Sequence, residues 1–120
     1  MLNLDTHILV FALTGELRPK ERVLLSGDRW GISGIVLWEI AKLHELDRIQ
    51  VDLEDPEVVR ALSAVHVWPI DIRVCQTLSR VDFKSDPADE LIAATSIAHR
   101  VPLVTRDKVI RKSKIVPLAK

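Results

Sequence analysis

Apolar residues along this chain fall into short runs of three or four, separated by longer stretches in which they recur at helical spacing. The opening run, Met1 to Leu4, is short enough for a buried strand, with Asp5-Thr6 at its carboxyl end before a helical segment over His7 to Leu13. Trp30-Gly31-Ile32 predicts a second strand. From Ile35 to Leu46 the apolar positions follow a helical period, with Ser33 as its cap, and Glu39 lies about a turn and a half from its start. Asp55-Pro56 opens another helix through Val58, Val59, Leu62 and Val65, with aspartate as cap and proline in the first turn. The strand His66-Val67-Trp68 ends at Pro69, and a helix follows over roughly Asp71 to Arg80.

The clearest start signal is Asp86-Pro87-Ala88-Asp89-Glu90, where a capping aspartate precedes a proline at the first helical position and acids occupy the first turn. Leu91, Ile92, Ala94, Thr95 and Ala98 continue that helix. After Pro102, Leu103-Val104-Thr105 predicts a strand, Arg106-Asp107 opens a short helix, and Ile115-Val116 reads as a last edge strand. Alternation of this kind predicts an α/β fold with a central parallel sheet of four to five strands, helices covering both faces. Ligands of such sheets bind beyond the carboxyl ends of the strands, where Asp5 and Asp107 are both expected.

A chain of 120 residues, 48% of them hydrophobic, suffices for one core, so residues 1–120 are expected to form a single domain. The prolines are spread as punctuation, with no linker or repeat between them. Cys75 is the only cysteine, which excludes an intrachain disulfide, and the surrounding Ile72 to Cys75 run suggests a buried thiol. Ile8 to Leu13 is too short and lacks the basic flank of a signal peptide or membrane span, so a cytoplasmic setting is expected. The formal net charge is zero, which argues against binding nucleic acid by bulk positive charge. Residues Arg106 to Lys120 nevertheless carry six cations against Asp107 alone. That tail suits either a phosphate backbone beside an acidic centre or an ordinary solvated face.

Four acids stand out, each beside a structural alternative. Asp86 is explained by capping and is set aside. Asp89 could serve the same helix start, and Asp107 could cap the segment after it. Asp5 is the hardest to explain structurally, because an acid ending a buried strand loses hydration and no nearby cation compensates it. Glu39 could instead pair with Lys42 on an exposed face. Taken together, Asp5, Glu39, Asp89 and Asp107 can converge above the sheet. Four buried carboxylates would repel one another unless a divalent cation neutralised them, and oxygen-only ligands select Mg²⁺ or Mn²⁺ over zinc. Thr6 and Thr105 can hydrogen-bond those carboxylates or act as ordinary turn hydroxyls. His7, His44, His66 and His99 lack paired metal-ligand spacing, and His7 is of interest only because it follows Asp5-Thr6.

In order and spacing, several fragments resemble the PIN-domain ribonucleases of VapC type. They are Leu4-Asp5-Thr6-His7-Ile8-Leu9, Ile32-Ser33 with Leu37-Trp38-Glu39-Ile40-Ala41, Asp86-Pro87-Ala88-Asp89 with Leu91 to Thr95, and Leu103 to Asp107. The resemblance spans nearly the whole chain. It implies a PIN-like three-layer α/β/α fold and Mg²⁺- or Mn²⁺-dependent cleavage of RNA. It further implies a toxin held by a cognate small antitoxin, a homodimer, and acidic ligands at Asp5, Glu39, Asp89 and Asp107; it is what retains Glu39. Two departures are Glu90, where relatives often carry arginine, and a short segment after Ile115-Val116-Pro117. A catalytically silent PIN-like binding module is the alternative. Phosphoaspartate receivers and dehalogenase-type phosphatases fit less well, since His7 stands where the latter need a second aspartate.

Overall fold

The computed structural model describes residues 1–120. Its centre is a parallel sheet of β1 (Leu2–Leu4), β2 (Trp30–Ser33), β3 (His66–Trp68) and β4 (Leu103–Val104), in the order β3-β2-β1-β4. Successive strand residues point to opposite faces, yet Leu2, Asn3 and Leu4 are all buried, so β1 is covered on both sides. Covering it are α1 (Thr6–Thr14), α2 (Pro19–Ser26), α3 (Gly34–Glu45), α4 (Pro56–Leu62), α5 (Ile72–Thr77) and α6 (Pro87–His99). The main core joins Leu4, Ile8, Leu9, Ile32, Val36, Ile40, Ile92 and Leu103.

The chain steps from β1 outward through β2 to β3, then returns to place β4 on the other side of β1. That reversal makes the carboxyl ends of β1 and β4 the place where an open α/β sheet offers a crevice. Asp5 leaves β1 there, its N–H donating to Val104 O at 3.0 Å. Buried Asn3 locks α6 over the sheet, its Nδ2 donating to Ile92 O at 3.1 Å and Ser96 Oγ at 2.9 Å.

Capping follows the expected chemistry. Ser33 Oγ accepts from Ile35 N, Asp55 Oδ1 from Glu57 N, and Asp86 Oδ1 from Asp89 N. The expected Asp71–Arg80 helix is capped by Asp71 but shortens to α5, followed by a 3₁₀ turn over Leu78–Arg80. Helix α2 has no counterpart in the sequence reading, because it buries only Leu25 and so carries little apolar periodicity. Its start is nevertheless encoded: Pro19 occupies the first turn, and Glu21 Oε1 accepts from Arg18 N at 2.8 Å.

Two expectations are corrected. Ile115-Val116 does not form an edge strand, because Ser113 Oγ accepts from both their N–H groups, at 3.2 and 3.0 Å. Pairing begins later, where Leu118 bridges Leu103 in parallel and Ala119 N donates to Leu103 O. Cys75 is exposed, not buried. Helix α5 turns Val74 and Thr77 inward, and a residue one step from Val74 lies about 100° around the helix, off that stripe.

Gly31 is required by close packing. A Cβ there would meet the Trp68 ring at 2.5 Å. The ring has little freedom to retreat, since it is buried, stacked on His99 at 5.6 Å and edge-on to His66 at 5.0 Å. Gly31→Ala is therefore expected to lower unfolding free energy by about 2 kcal/mol. Urea denaturation measures it, and adding Trp68→Leu should recover part of the loss; an unchanged midpoint for the single variant would contradict the packing.

Candidate metal centre

The four acids of interest arrive from four different elements. Asp5 is the N-cap of α1, Glu39 sits midway along α3, Asp89 lies in the first turn of α6, and Asp107 follows β4. All four line one cleft of about 390 Å³, together with His7, Ile8, Phe11, Asp86 and Arg106. No three His, Cys, Asp or Glu side chains are arranged to hold an ion between them, so the carboxylates share a cleft without closing on one point. A Mg²⁺-sized cation, which keeps several waters, fits this donor set through one or two direct carboxylates with water completing the shell.

A line of hydrogen bonds connects the acids. Asp107 N donates to Thr105 Oγ1 at 3.0 Å, and that hydroxyl donates to Asp5 Oδ2 at 2.6 Å. Thr6 N donates to Asp5 Oδ1 at 2.8 Å, while the Thr6 hydroxyl donates to Glu39 Oε1. Thr6 and Thr105 thus hydrogen-bond the carboxylates without lining the cleft themselves. Glu39 does not pair with Lys42, which instead meets Glu45 at 3.4 Å. On the remaining acids, Ser85 Oγ donates to Asp89 Oδ2 at 2.7 Å, and Asp107 Oδ1 accepts from Val109 N and Ile110 N. Asp107 therefore caps the chain toward a 3₁₀ turn over Ile110–Lys112 and lines the cleft as well.

Electrostatically the cleft is under-compensated. Burial pushes the Asp5 carboxyl above the usual range against the Thr105 and Thr6 hydrogen bonds, with Asp107 adding repulsion. Glu39 and Asp89 are also raised, first by burial, and each feels Asp5 and Asp86. Arg106 is the only strong cation on the lining, and it is already engaged: its Nε and Nη2 donate to Glu21 at 2.8 and 2.7 Å. Carboxylates without a partner cation favour a bound divalent ion or a proton.

Neither Phe11 nor a pairing role for Arg106 is signalled by the sequence, where Arg106 belongs to the basic tail and to the segment after the last strand. The guanidinium of Arg106 lies 4.1 Å over the Phe11 ring. No spacing signal could have found this contact, nor the Glu21 pair, whose members are 85 positions apart. Asp86 is correctly a cap, yet it also lines the cleft. Glu90, the departure from the family pattern, accepts from Ser85 N at 2.9 Å and braces the turn before α6.

Arg106 holds the Glu21 carboxyl down to about 2, from 4.5. A depressed carboxylate contributes stability above its unfolded value and loses it as pH falls toward the folded one. Glu21→Gln should accordingly lower the melting temperature at neutral pH, with the gap to wild type narrowing as pH falls through 4.5 toward 2. A pH-independent gap in thermal scans would show that Glu21 acts by packing alone.

An all-parallel sheet with carboxylates gathered at its switch point defines an acidic-cleft α/β domain, in which oxygen ligands rather than thiols or imidazoles line the site. The chain belongs to the PIN-domain family, whose model matches residues 3–115. It is 34% identical over 118 residues to ribonuclease VapC22 of Mycobacterium tuberculosis, across 92% of this chain and 90% of that protein. A toxin–antitoxin complex from Klebsiella pneumoniae contains a chain of the same fold, with a TM-score of 0.72 at 19% identity over 99% of this chain and 97% of its own. VapBC2 from Rickettsia felis, bound to a promoter DNA fragment, aligns with a TM-score of 0.73 at 19% identity, covering 99% and 98%. The PIN-like α/β/α architecture expected from sequence is thus the one observed, with four strands. No helix is long and apolar enough to cross a membrane.

Proposed function

We propose that this chain, a single PIN domain over residues 1–120, is a metal-dependent endoribonuclease and the toxin of a toxin–antitoxin pair. The observation that carries the reading is the gathering of Asp5, Glu39, Asp89 and Asp107 into one cleft of a PIN-family chain related to a VapC ribonuclease. One or two of those carboxylates directly, and the others through water, would hold Mg²⁺ or Mn²⁺, which when bound supplies an activated water and a counter-charge for the phosphodiester oxygens.

The chain's own groups set the stage for that chemistry. Thr105 and Thr6 fix both oxygens of Asp5, so its carboxylate cannot rotate away from the cleft. Thr6 also ties Glu39 to α1, which makes the relative placement of two acids a property of one threonine. Asp107 presents Oδ1 to the backbone and leaves Oδ2 for the cleft. A carboxylate of raised affinity for protons is suited to orient a water and accept its proton.

Toxin–antitoxin complexes among the structural neighbours support a small cognate antitoxin as partner, and the family resemblance implies a homodimer. Expression of the chain alone should arrest growth, and co-expression with the product of an adjacent small reading frame should relieve the arrest and yield a co-purifying complex. A chain that is harmless alone would contradict the toxin assignment.

A further inference from the structure

Three cavities of different chemistry adjoin. The carboxylate cleft shares Arg106 with a groove of about 270 Å³ whose lining includes Arg18, Lys20, Arg111 and Lys120. It shares Glu39 and Asp86 with a pocket of about 470 Å³ formed with Ile35, Trp38, Pro87 and Ala88. The two outer cavities have no residue in common, so the carboxylates stand between a basic groove and an aromatic pocket.

Each outer cavity contains groups that the fold does not consume. Helix α3 buries Val36 and Ile40 completely, and Ile35 and Leu37 pack against the core, whereas Trp38 remains 58% exposed. An indole left in water on a pocket wall, one residue from Glu39, has no packing duty there. In the basic groove Arg106 is bound to Glu21 and Arg111 Nη1 donates to Thr105 O at 3.1 Å, but Arg18, Lys20 and Lys120 form no salt bridge.

We propose that a single RNA strand crosses the carboxylate cleft, its phosphates on one side lying against Arg18, Lys20, Arg111 and Lys120 and an unpaired base on the other side stacking on Trp38. The proposal rests on the ribonuclease reading above. Basic groove, acidic centre and aromatic wall correspond in order to phosphate, scissile bond and base. Glu39 and Asp86 repel phosphate at the mouth of the aromatic pocket, so what binds there must do so through a neutral face, which a nucleobase has. A base inside a duplex has both faces occupied by its neighbours. A continuous helix therefore offers Trp38 no free face on which to stack.

Binding can be read apart from cleavage by titrating the Asp5→Asn protein with a single-stranded RNA of about twelve nucleotides, or its duplex, while following anisotropy and tryptophan emission. The single strand should quench emission and bind more tightly than the duplex. Adding Trp38→Ala should weaken it about tenfold, whereas Trp38→Phe should retain most of the affinity and lose most of the quenching. Replacing Lys20 and Lys120 by alanine should weaken binding at low salt and flatten the salt dependence, by about 0.7 in log–log slope for each phosphate that is no longer neutralised. Unchanged affinity in Trp38→Ala, or equal affinity for the duplex, overturns the proposal. So does a Trp38→Ala protein that binds RNA normally but no longer co-purifies with its small partner, which would make the pocket a protein-docking face. Should the wild-type chain cleave no RNA while the Trp38 effect on binding persists, the ribonuclease reading fails and the strand path stands.

Discussion

Asp5→Asn is expected to reduce RNA cleavage about 10³-fold, on the scale of losing a positioned acid–base or metal-binding group, and to abolish growth arrest. The substitution is nearly isosteric, and an amide oxygen can still accept from Thr6 N. Thr105 Oγ1, which donates to the carboxylate, also accepts from Asp107 N and can turn to accept from the new amide. The fold is therefore retained. Stability provides a second readout with a definite sign. The Asp5 carboxyl lies above its ordinary 3.8, so the folded protein binds its proton more tightly than the unfolded chain. Stability from that proton is present below 3.8 and is lost as pH rises through the folded value, leaving a buried charge that costs stability at neutral pH. Asp5→Asn should thus melt no lower than wild type at pH 7, as calorimetry would show. A variant both inactive and unfolded would remove the inference about chemistry.

The second large effect concerns the cation. Three carboxylates raised by burial and mutual repulsion, with Arg106 occupied by Glu21, leave the cleft under-compensated, His7 being the one other lining residue that favours the Asp5 charge. Chelation with EDTA is expected to bring cleavage to background, and Mg²⁺ or Mn²⁺ in excess to restore it, with hard oxygen donors giving zinc no advantage. Ligands that bind only the folded state also raise its stability by mass action. Millimolar Mg²⁺ should therefore raise the melting temperature of wild type and do so much less for Asp5→Asn. Full activity in chelator would show that the carboxylates act without a metal.

Why some of this was legible in the sequence and some not follows from how each signal arises. Asp5 is visible because an acid terminating an apolar strand is costly without a purpose, and Asp86-Pro87 because a cap and a first-turn proline are local instructions. Parallel topology followed from alternating strands and helices. Glu39 was not decidable from periodicity: the residue that orients it, Thr6, lies 33 positions away. Helix α2 buries a single leucine and so carries little apolar periodicity, and the exposure of Cys75 depends on the helical phase of α5, which a run of apolar residues does not reveal. The Ser113 turn competed for the N–H groups that an Ile115-Val116 strand would have needed. The pairing of Arg106 with Glu21, which decides that no arginine neutralises the cleft, is purely tertiary.

If the carboxylate cleft cuts RNA, sequencing of RNA ends after brief induction of wild type and of Asp5→Asn, each expressed to the same level, should find discrete new ends within single-stranded or loop segments in wild type and none in the variant. The same ends in both strains, or no new ends in either, would contradict that activity.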